Sequence, residues 1–299
     1  MSPATLTDIA AAGCYLRPLT LIDAVRAIAN CETTLLAGGT DLYPAHVGRP
    51  LPARILDVSA VAEMRGIVVS PDGVRFGGAV TWTEIARAKL PPAFRALQAA
   101  ARQVGSRQVQ NRGTIAGNLC NASPAADGVP PLLVLNAEVE LASLRGVSRM
   151  PLAAFILGNR KTARQPDELL SAVIVPAPPP DAISAFVKLG ARKYLVISIM
   201  MAAALVRKDA DGTLIEARVA VGSASETAHR LSQLERDLAG SSVNTSLSRL
   251  LRSEHFNSLN PIDDVRASAK YRRDAALYLV GTALDQAIGA SSDGAHHEV

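Results

Sequence analysis

The sequence predicts an α+β protein of two successive domains, and three observations predict it. Helix-like and strand-like segments alternate through the first half of the chain. Four prolines within residues 176–181, PAPPPD, make a stiff extended connection. Beyond them, strand patterns come first and helix patterns follow, which is the order of an α+β domain. The expected divisions are a small β-α-β-β unit over 1–60, a second unit over 61–178, a C-terminal α+β domain over 179–290 and a flexible tail over 291–299.

The first unit opens with TLIDAVRAIAN. Thr20 with Asp23 three residues on resembles a helix cap, and Ile22, Val25, Ile28 and Ala29 recur at helical spacing. TTLLAG and RILDVS then read as strands. In the second unit, Pro71-Asp72-Gly73 separates two β-rich runs, so a hairpin is expected there. Helical pattern covers about Thr83 to Ala88 and Ala93 to Val104. Residues 105–130, GSRQVQNRGTIAGNLCNASPAADGVP, carry too much Gly, Asn, Ser and Pro for a regular element. Val109, Ile115 and Leu119 within them argue against disorder, and loops of that length in compact domains are usually functional. LLVLNAEVEL, GVSRMPL and the strand LLSAVIVP complete the unit.

In the C-terminal domain, AISAFVKLG, the apolar run YLVISIMMAAALV (194–206) and LIEARVAVG read as a three-stranded meander with a turn at Asp211-Gly212. HRLSQLERDLAG, SLSRLLRSEHF and the stretch from Asp263 to Ala290 read as helical. In the last, Val265, Ala269, Ala276, Leu277, Val280 and Leu284 are expected to share one apolar face.

Bulk properties narrow the function. The 299 residues are 48% hydrophobic and 19% charged, a globular composition, with only 4% aromatic residues. The net charge is +4, but the cations are dispersed and not interleaved with aromatics, which argues against nucleic-acid binding. Cys14, Cys31 and Cys120 form no C-x-x-C pair, so neither a disulfide framework nor a metal or iron–sulfur site is expected. No signal peptide is evident, and the longest apolar run is short of the ~20 residues that span a bilayer. A cytoplasmic protein without a membrane span is therefore expected. G-x-G-x-x-G opening a helix, the P-loop, H-E-x-x-H and G-x-S-x-G are all missing. No acid–base or nucleophilic constellation stands out, so no catalytic residue and no metal ligand is named.

Two glycine-rich places remain, Ala37-Gly38-Gly39-Thr40-Asp41 and Gly113-Thr114-Ile115-Ala116-Gly117-Asn118. Glycine admits positive φ and removes the Cβ that would block a ligand, and successive exposed N–H groups make an anion-binding nest. The hydroxyl of Thr40 or Thr114 adds a neutral donor. Each place alone also reads as an ordinary turn. As a pair, one in each half of the first domain, they predict a site for an anion or a dinucleotide between two subdomains.

LLAGGTDL, followed by QVQNRGTIAGNLCNASPAADGVPPLLVLNAEVEL, resembles the FAD-binding (medium) subunit of the molybdenum-containing hydroxylases, the xanthine dehydrogenase and carbon monoxide dehydrogenase family. KLGARKYLVISI is similar to that family's flavin-side strand, and AHRLSQLERDLAG and NPIDDVRASAKYRRDAA resemble its C-terminal domain. The resemblance implies a two-subdomain FAD-binding domain of the vanillyl-alcohol-oxidase type followed by the C-terminal sheet and helices. It places Leu35, Leu36, Ala37, Gly38, Gly39, Thr40, Asp41 and Leu42 along the FAD diphosphate, and Thr114, Ile115, Ala116, Gly117 and Asn118 in the second cradle. It places Asp127 near the adenosine side; Asp127 also reads as a helix N-cap before VPPLLVL, and both roles are compatible. Val104, Leu169 and Lys188 correspond to positions lining the flavin. The two apolar ones read equally as core residues, and Lys188 reads either as a cation near the reduced ring or as a strand-end lysine in water.

Three departures from the family pattern stand out. Ala116 replaces a second glycine, which requires negative φ and a Cβ turned from the diphosphate. Gln110 replaces an arginine, and Arg192-Lys193-Tyr194-Leu195-Val196 lacks an aspartate after its basic pair. The implied function is electron transfer within a dimer of heterotrimers. A large subunit carries molybdopterin and a small subunit carries [2Fe-2S] clusters; noncovalent FAD on this chain passes electrons to an acceptor. No His or Cys lies inside the first loop to bond the flavin covalently; His46 lies beyond it. The alternatives are a stand-alone flavin-dependent reductase of the same fold, similar to the enzyme that reduces enolpyruvyl-UDP-sugars, and a flavin-free scaffold subunit.

Overall fold

A computed structural model of the chain describes residues 14–30, 32–192, 195–243 and 246–289. The expected tail over 291–299, Cys31, Lys193 and Tyr194 lie outside the described residues.

The first unit is a small parallel sheet. β1 (Cys14–Leu16), α1 (Leu21–Asn30), β2 (Thr34–Leu36), α2 (Leu42–Ala45) and β3 (Arg54–Asp57) follow in order, and the strands lie β1-β3-β2. The Thr20 hydroxyl accepts from the Asp23 amide (3.2 Å) and donates to its carboxylate (2.6 Å), which starts α1 where the cap pattern expected. The buried face of α1 is Ala24, Val25 and Ile28. Ile22 and Ala29 point to solvent, because contact with the neighbouring sheet at Ala142 and Leu169 selects the face.

The second unit carries a five-stranded antiparallel sheet. The strands are β4 (Ile67–Ser70), β5 (Gly73–Gly77), β6 (Glu138–Ser143), β7 (Gly146–Pro151) and β10 (Leu169–Pro176), in the order β4-β5-β10-β6-β7. A small hairpin, β8 (Ile156–Gly158) and β9 (Lys161–Thr162), and the four-residue helix α8 (Leu152–Phe155) connect β7 to β10. The expected Pro71-Asp72-Gly73 hairpin is present: Gly73 has φ +139, and a Cβ on it would lie 2.1 Å from the Val175 carbonyl oxygen.

Residues 105–130 depart from expectation. They are not irregular, because after α3 (Trp82–Arg87) and α4 (Arg95–Gln103) the chain forms α5 (Arg107–Arg112) and α6 (Ile115–Asn121), and α7 (Val129–Val134) begins at their end. Ser106 caps α5 by accepting from the Val109 amide (3.3 Å), and Thr114 caps α6 by accepting from the Gly117 amide (3.1 Å). Helices this short show too little of a 3.6-residue period to read. The Ser and Thr that suggested a loop are their caps.

The C-terminal sheet has β11 (Ile183–Leu189), β12 (Met200–Lys208) and β13 (Leu214–Gly222), with the two-residue β14 (His229–Arg230) added at its edge. The apolar run begins as strand at Met200 rather than 194. β12 is apolar from Met200 to Val206 because both its faces are covered there. Met201, Ala203 and Leu205 face the core shared with α4 and α7, and Met200, Ala202, Ala204 and Val206 face α10 (Ala269–Gly289). α9 (Ser232–Leu238) lies against β13. SLSRLLRSEHF makes only short 3-10 turns, and the final helix starts at Ala269 instead of Asp263. Val265 is 99% exposed and Leu277 is exposed as well, so neither joins the apolar face; Ala276, Val280 and Leu284 do.

Arg272 fixes that helix. Its buried guanidinium donates to the carbonyls of Ile199 (2.5 Å) and Ser223 (2.9 Å) and to Asp264 (2.7 Å). Burial raises the Asp264 carboxyl, but the Arg266 amide, the Arg272 guanidinium and the Ala267 amide outweigh it and lower it to about 2. A carboxyl lowered on folding adds stability above its ordinary value of 3.8, and that stability disappears as pH falls toward about 2. Asp264→Asn is therefore expected to lower Tm at pH 7. The gap to the parent should narrow progressively below pH ~4 in thermal melts across pH; a constant gap would contradict this linkage.

Candidate functional site

The two glycine-rich places meet. The turn between β2 and α2 packs against the α5–α6 junction, and a cleft of about 410 Å³ opens along them, within the ~300–1,000 Å³ of cofactor sites. The contact is backbone to backbone. A Cβ on Gly38 would lie 1.9 Å from the Arg112 carbonyl oxygen and 2.9 Å from Gly113 Cα. Gly39 turns the chain with φ +75, and the Tyr43 ring lies so close that a Cβ there would be 2.5 Å from Cε2. Hence both residues are glycine, one for the approach and one for the turn.

The two loops contribute differently. Among the described residues, the amides of Gly38, Gly39, Thr40 and Asp41 donate to no acceptor within the chain. In the second loop four amides are already engaged, Ile115 to the Val80 carbonyl (2.9 Å), Ala116 to that of Gly78 (3.1 Å), Gly117 to the Thr114 hydroxyl (3.1 Å) and Asn118 to the Thr114 carbonyl (3.0 Å), while the Thr114 amide has no acceptor among the described residues. The first loop holds most of the uncommitted donors, and the second adds the Thr114 amide, a wall and side chains. Asn118 Oδ1, on that wall, is buried without a partner. An orphaned buried acceptor costs about 1–3 kcal/mol, so it fits a ligand bringing a donor. Free amides along the cleft suit the anionic part of a dinucleotide.

The cleft is lined by Leu35 to Leu42, Val104, Thr114, Ala116, Gly117, Asn118 and Leu169. Ile115 is fully buried in the core and does not reach it. Ala116 is helical, without positive φ, and packs into the core, so its methyl is accommodated. Gln110 uses its side-chain amide to bind the Arg102 carbonyl (2.9 Å) and ties α5 to α4. Arg192 donates to the Leu195 carbonyl (3.1 Å), where Leu195 has φ +53.

Asp127 and Lys188 do not line the cleft; they bind each other behind it. Lys188 Nζ is 2.6 Å from Asp127 Oδ2 and 3.3 Å from the carbonyl of Gln103, the neighbour of cleft residue Val104. Ser198 donates to Asp127 Oδ1 at 2.5 Å. The two side chains are only 5% and 7% exposed, so Lys188 is not a solvated strand-end lysine. Asp127 is not the cap of α7 either: Gly128 holds that position, with no side-chain cap. Burial pushes the Asp127 carboxyl up, against the pull of Lys188 and Ser198.

The sequence reading missed Val58, Met64, Gly78, Trp82, Val109, Cys120, Asn121 and Leu170 on the cleft wall. The second glycine of GGAV was a readable signal, because a Cβ on Gly78 would lie 2.4 Å from the Leu170 carbonyl oxygen. Trp82 packs between Gly113 and Gly128, where a Cβ would meet its ring at 3.4 and 2.4 Å. Burial pushes the Cys120 thiol up to about 11, so it is protonated and a poor nucleophile at neutral pH. Asp41 is bridged by both guanidinium nitrogens of Arg160 at 3.2 Å, which ties the first loop to the β8–β9 hairpin. Asp41 and Cys120 are the titratable side chains on the wall, and neither is placed as a proton donor. Among the described residues no three His, Cys, Asp or Glu converge as metal ligands, and no helix is long and apolar enough to cross a membrane.

Comparison with known proteins agrees with this geometry. Residues 8–178 match the model of the FAD binding domain in molybdopterin dehydrogenase, and residues 185–287 match that of the CO dehydrogenase flavoprotein C-terminal domain. The chain is 33% identical to a putative xanthine dehydrogenase FAD-binding subunit of Escherichia coli K12 over 286 residues, 93% of this chain and 96% of that protein. It is 32% identical to the nicotinate dehydrogenase FAD-subunit of Eubacterium barkeri over 246 residues, 81% of this chain and 83% of that one. A solved chain of carbon monoxide dehydrogenase from Hydrogenophaga pseudoflava superposes with a TM-score of 0.83 at 26% identity, covering 93% of this chain and 97% of its own.

Proposed function

The chain belongs to the FAD-binding subunits of the molybdopterin dehydrogenases, and from that premise we propose that it takes electrons from a [2Fe-2S] partner subunit and delivers them to an external acceptor. It is a component of an oxidoreductase. The observation that carries the site assignment is the run of uncommitted amides, Gly38 to Asp41, along a cleft of cofactor size. FAD, when bound, supplies two-electron storage with one-electron exchange.

The chain's own residues would do the rest. The first-loop amides and the Thr40 hydroxyl hold the diphosphate. Val104 and Leu169 form apolar wall, and Asn118 fixes orientation. The Lys188–Asp127 pair supports the Val104 wall from behind; close pairing largely cancels the field of Lys188 at the ring. The match of residues 185–287 to the CO dehydrogenase flavoprotein C-terminal domain supports an electron-transfer role over a stand-alone reductase, and the accommodated Ala116 removes the ground for a flavin-free scaffold. Noncovalent attachment follows from the protonated Cys120.

The remaining parts of the proposal come from the relatives, among them a carbon monoxide dehydrogenase medium chain and a nicotine 6-hydroxylase medium subunit. The complex would add a large molybdopterin subunit and a small [2Fe-2S] subunit, as a cytoplasmic dimer of heterotrimers. FAD would lie between subdomains 1–60 and 61–178, with 179–290 closing the flavin side.

One measurement tests cofactor binding directly. Trp82 is the only tryptophan of the chain and lines the cleft. Titrating FAD into apoprotein is expected to quench its fluorescence by more than half at saturation, because flavin absorbs where tryptophan emits. Precipitation with acid should release all the flavin. An unquenched Trp82, or flavin retained on denatured chain, contradicts the assignment. Copurification with neighbouring-gene products carrying molybdenum and two clusters tests the complex.

A further inference from the structure

Between Glu84 and Asp127 the sequence has no carboxylate and six cations: Arg87, Lys89, Arg95, Arg102, Arg107 and Arg112. Scattered singly along the chain, they escape notice there. The fold gathers them. Thr83 bonds Asn111 (2.6 Å), joining the start of α3 to the end of α5. Gln98 donates to the Ala88 carbonyl (2.8 Å) and Arg102 to that of Ala86 (3.1 Å), joining α4 to the end of α3. Gln110 joins α5 to α4. The result is one layer of three helices with five exposed cations, and Lys89, exposed as well, follows directly on α3. Among the described residues, Arg87, Lys89, Arg102, Arg107 and Arg112 form no ion pair. Neither flanking carboxylate neutralises them: Glu84 is taken by the cap of α3 and Asp127 by Lys188. The net charge of the whole chain is +4, so the remainder is weakly acidic and the protein is polarised toward this layer.

The layer adjoins the cleft. The Arg112 carbonyl is the atom against which Gly38 packs, and Val104 and Val109 line the cleft. It exposes no large apolar side chain: none stands exposed between Val69 and Leu144. Permanent interfaces bury apolar surface, whereas transient redox encounters are small and driven by complementary charge. We propose that this layer docks an acidic electron-carrier protein, transiently, beside the flavin cleft. The proposal rests on the FAD assignment and names the class of acceptor. The layer also lacks exposed aromatics on which bases stack, which sets it apart from a single-stranded nucleic-acid surface.

The test uses the complex purified with its own subunits, a strongly acidic [2Fe-2S] ferredoxin as probe and a basic cytochrome c as control, with binding read by calorimetry. The ferredoxin is expected to bind, with Kd rising at least tenfold from about 50 to 200 mM salt. The double variant Arg87→Glu, Arg107→Glu should weaken binding at least tenfold and leave Tm, FAD content and Trp82 quenching unchanged. Arg249→Glu, an exposed cation in the other domain, should have no effect. Four results would each overturn the proposal: no ferredoxin binding at low salt; binding indifferent to the double variant; a DNA duplex bound more tightly and lost in that variant; or residues 87–112 already protected from hydrogen exchange by the complex's own subunits. In all four, retained FAD and quenching would leave the cofactor assignment standing.

Discussion

Gly38→Ala is expected to remove FAD binding while leaving most of the protein folded. A methyl at this position would fall 1.9 Å from the Arg112 carbonyl oxygen and 2.6 Å from its carbon, both backbone atoms that no rotamer change can move. The two loops must separate, which costs about 1–3 kcal/mol as an overpacked contact. The larger effect is on the ligand. Separation displaces the Gly38–Asp41 amides from the second-loop wall, and loss of two or three of their bonds to FAD at ~1 kcal/mol each weakens FAD by at least about tenfold to a hundredfold. Gly48→Ala is the control. Gly48 also has positive φ, +72, but a Cβ there meets nothing within 4 Å, so only backbone strain of about 1–2 kcal/mol is added. Flavin content after gel filtration and Trp82 quenching read the difference. If Gly38→Ala binds FAD as tightly as the parent, the loops do not grip the cofactor between them.

The second large effect lies behind the cleft. Removing one partner of a buried ion pair leaves the other without compensation, at about 3–5 kcal/mol. Lys188→Met and Asp127→Ala should each lower stability by that order in denaturant melts, since both side chains are nearly inaccessible. The double variant Asp127→Ala, Lys188→Met should be less destabilised than the sum of the singles, because the second change removes the charge stranded by the first. Strict additivity would show that the pair is not coupled. The same proteins locate the role of Lys188. If the pair acts as wall support, the flavin midpoint potential of the double variant stays near the parent value while FAD affinity falls. A large potential shift would instead assign Lys188 a direct field at the ring.

Much of the architecture was legible because it is written in local chemistry. The Thr20 cap, the Pro71-Asp72-Gly73 turn and the proline break at 176–181 act within a few residues of themselves. Helices α5 and α6 were not legible, since their length conceals the period and their caps look like loop. Val265 followed a helical pattern but lies before α10 begins, and Leu277 lies on the face of α10 turned from β12.

By itself the sequence determined that two glycine-rich places exist, that the flavin family is the one they resemble, and that Val104 and Leu169 suit an apolar wall. Only the tertiary structure decided which place keeps most of the free donors, since a backbone amide is available or spent according to the carbonyl that folding brings to it: Gly78 and Val80 take those of Ala116 and Ile115, and nothing takes those of Gly38 to Asp41 among the described residues. It likewise decided that Asp127 and Lys188, far apart in the chain, neutralise each other, and that the helices carrying the scattered cations join in one layer.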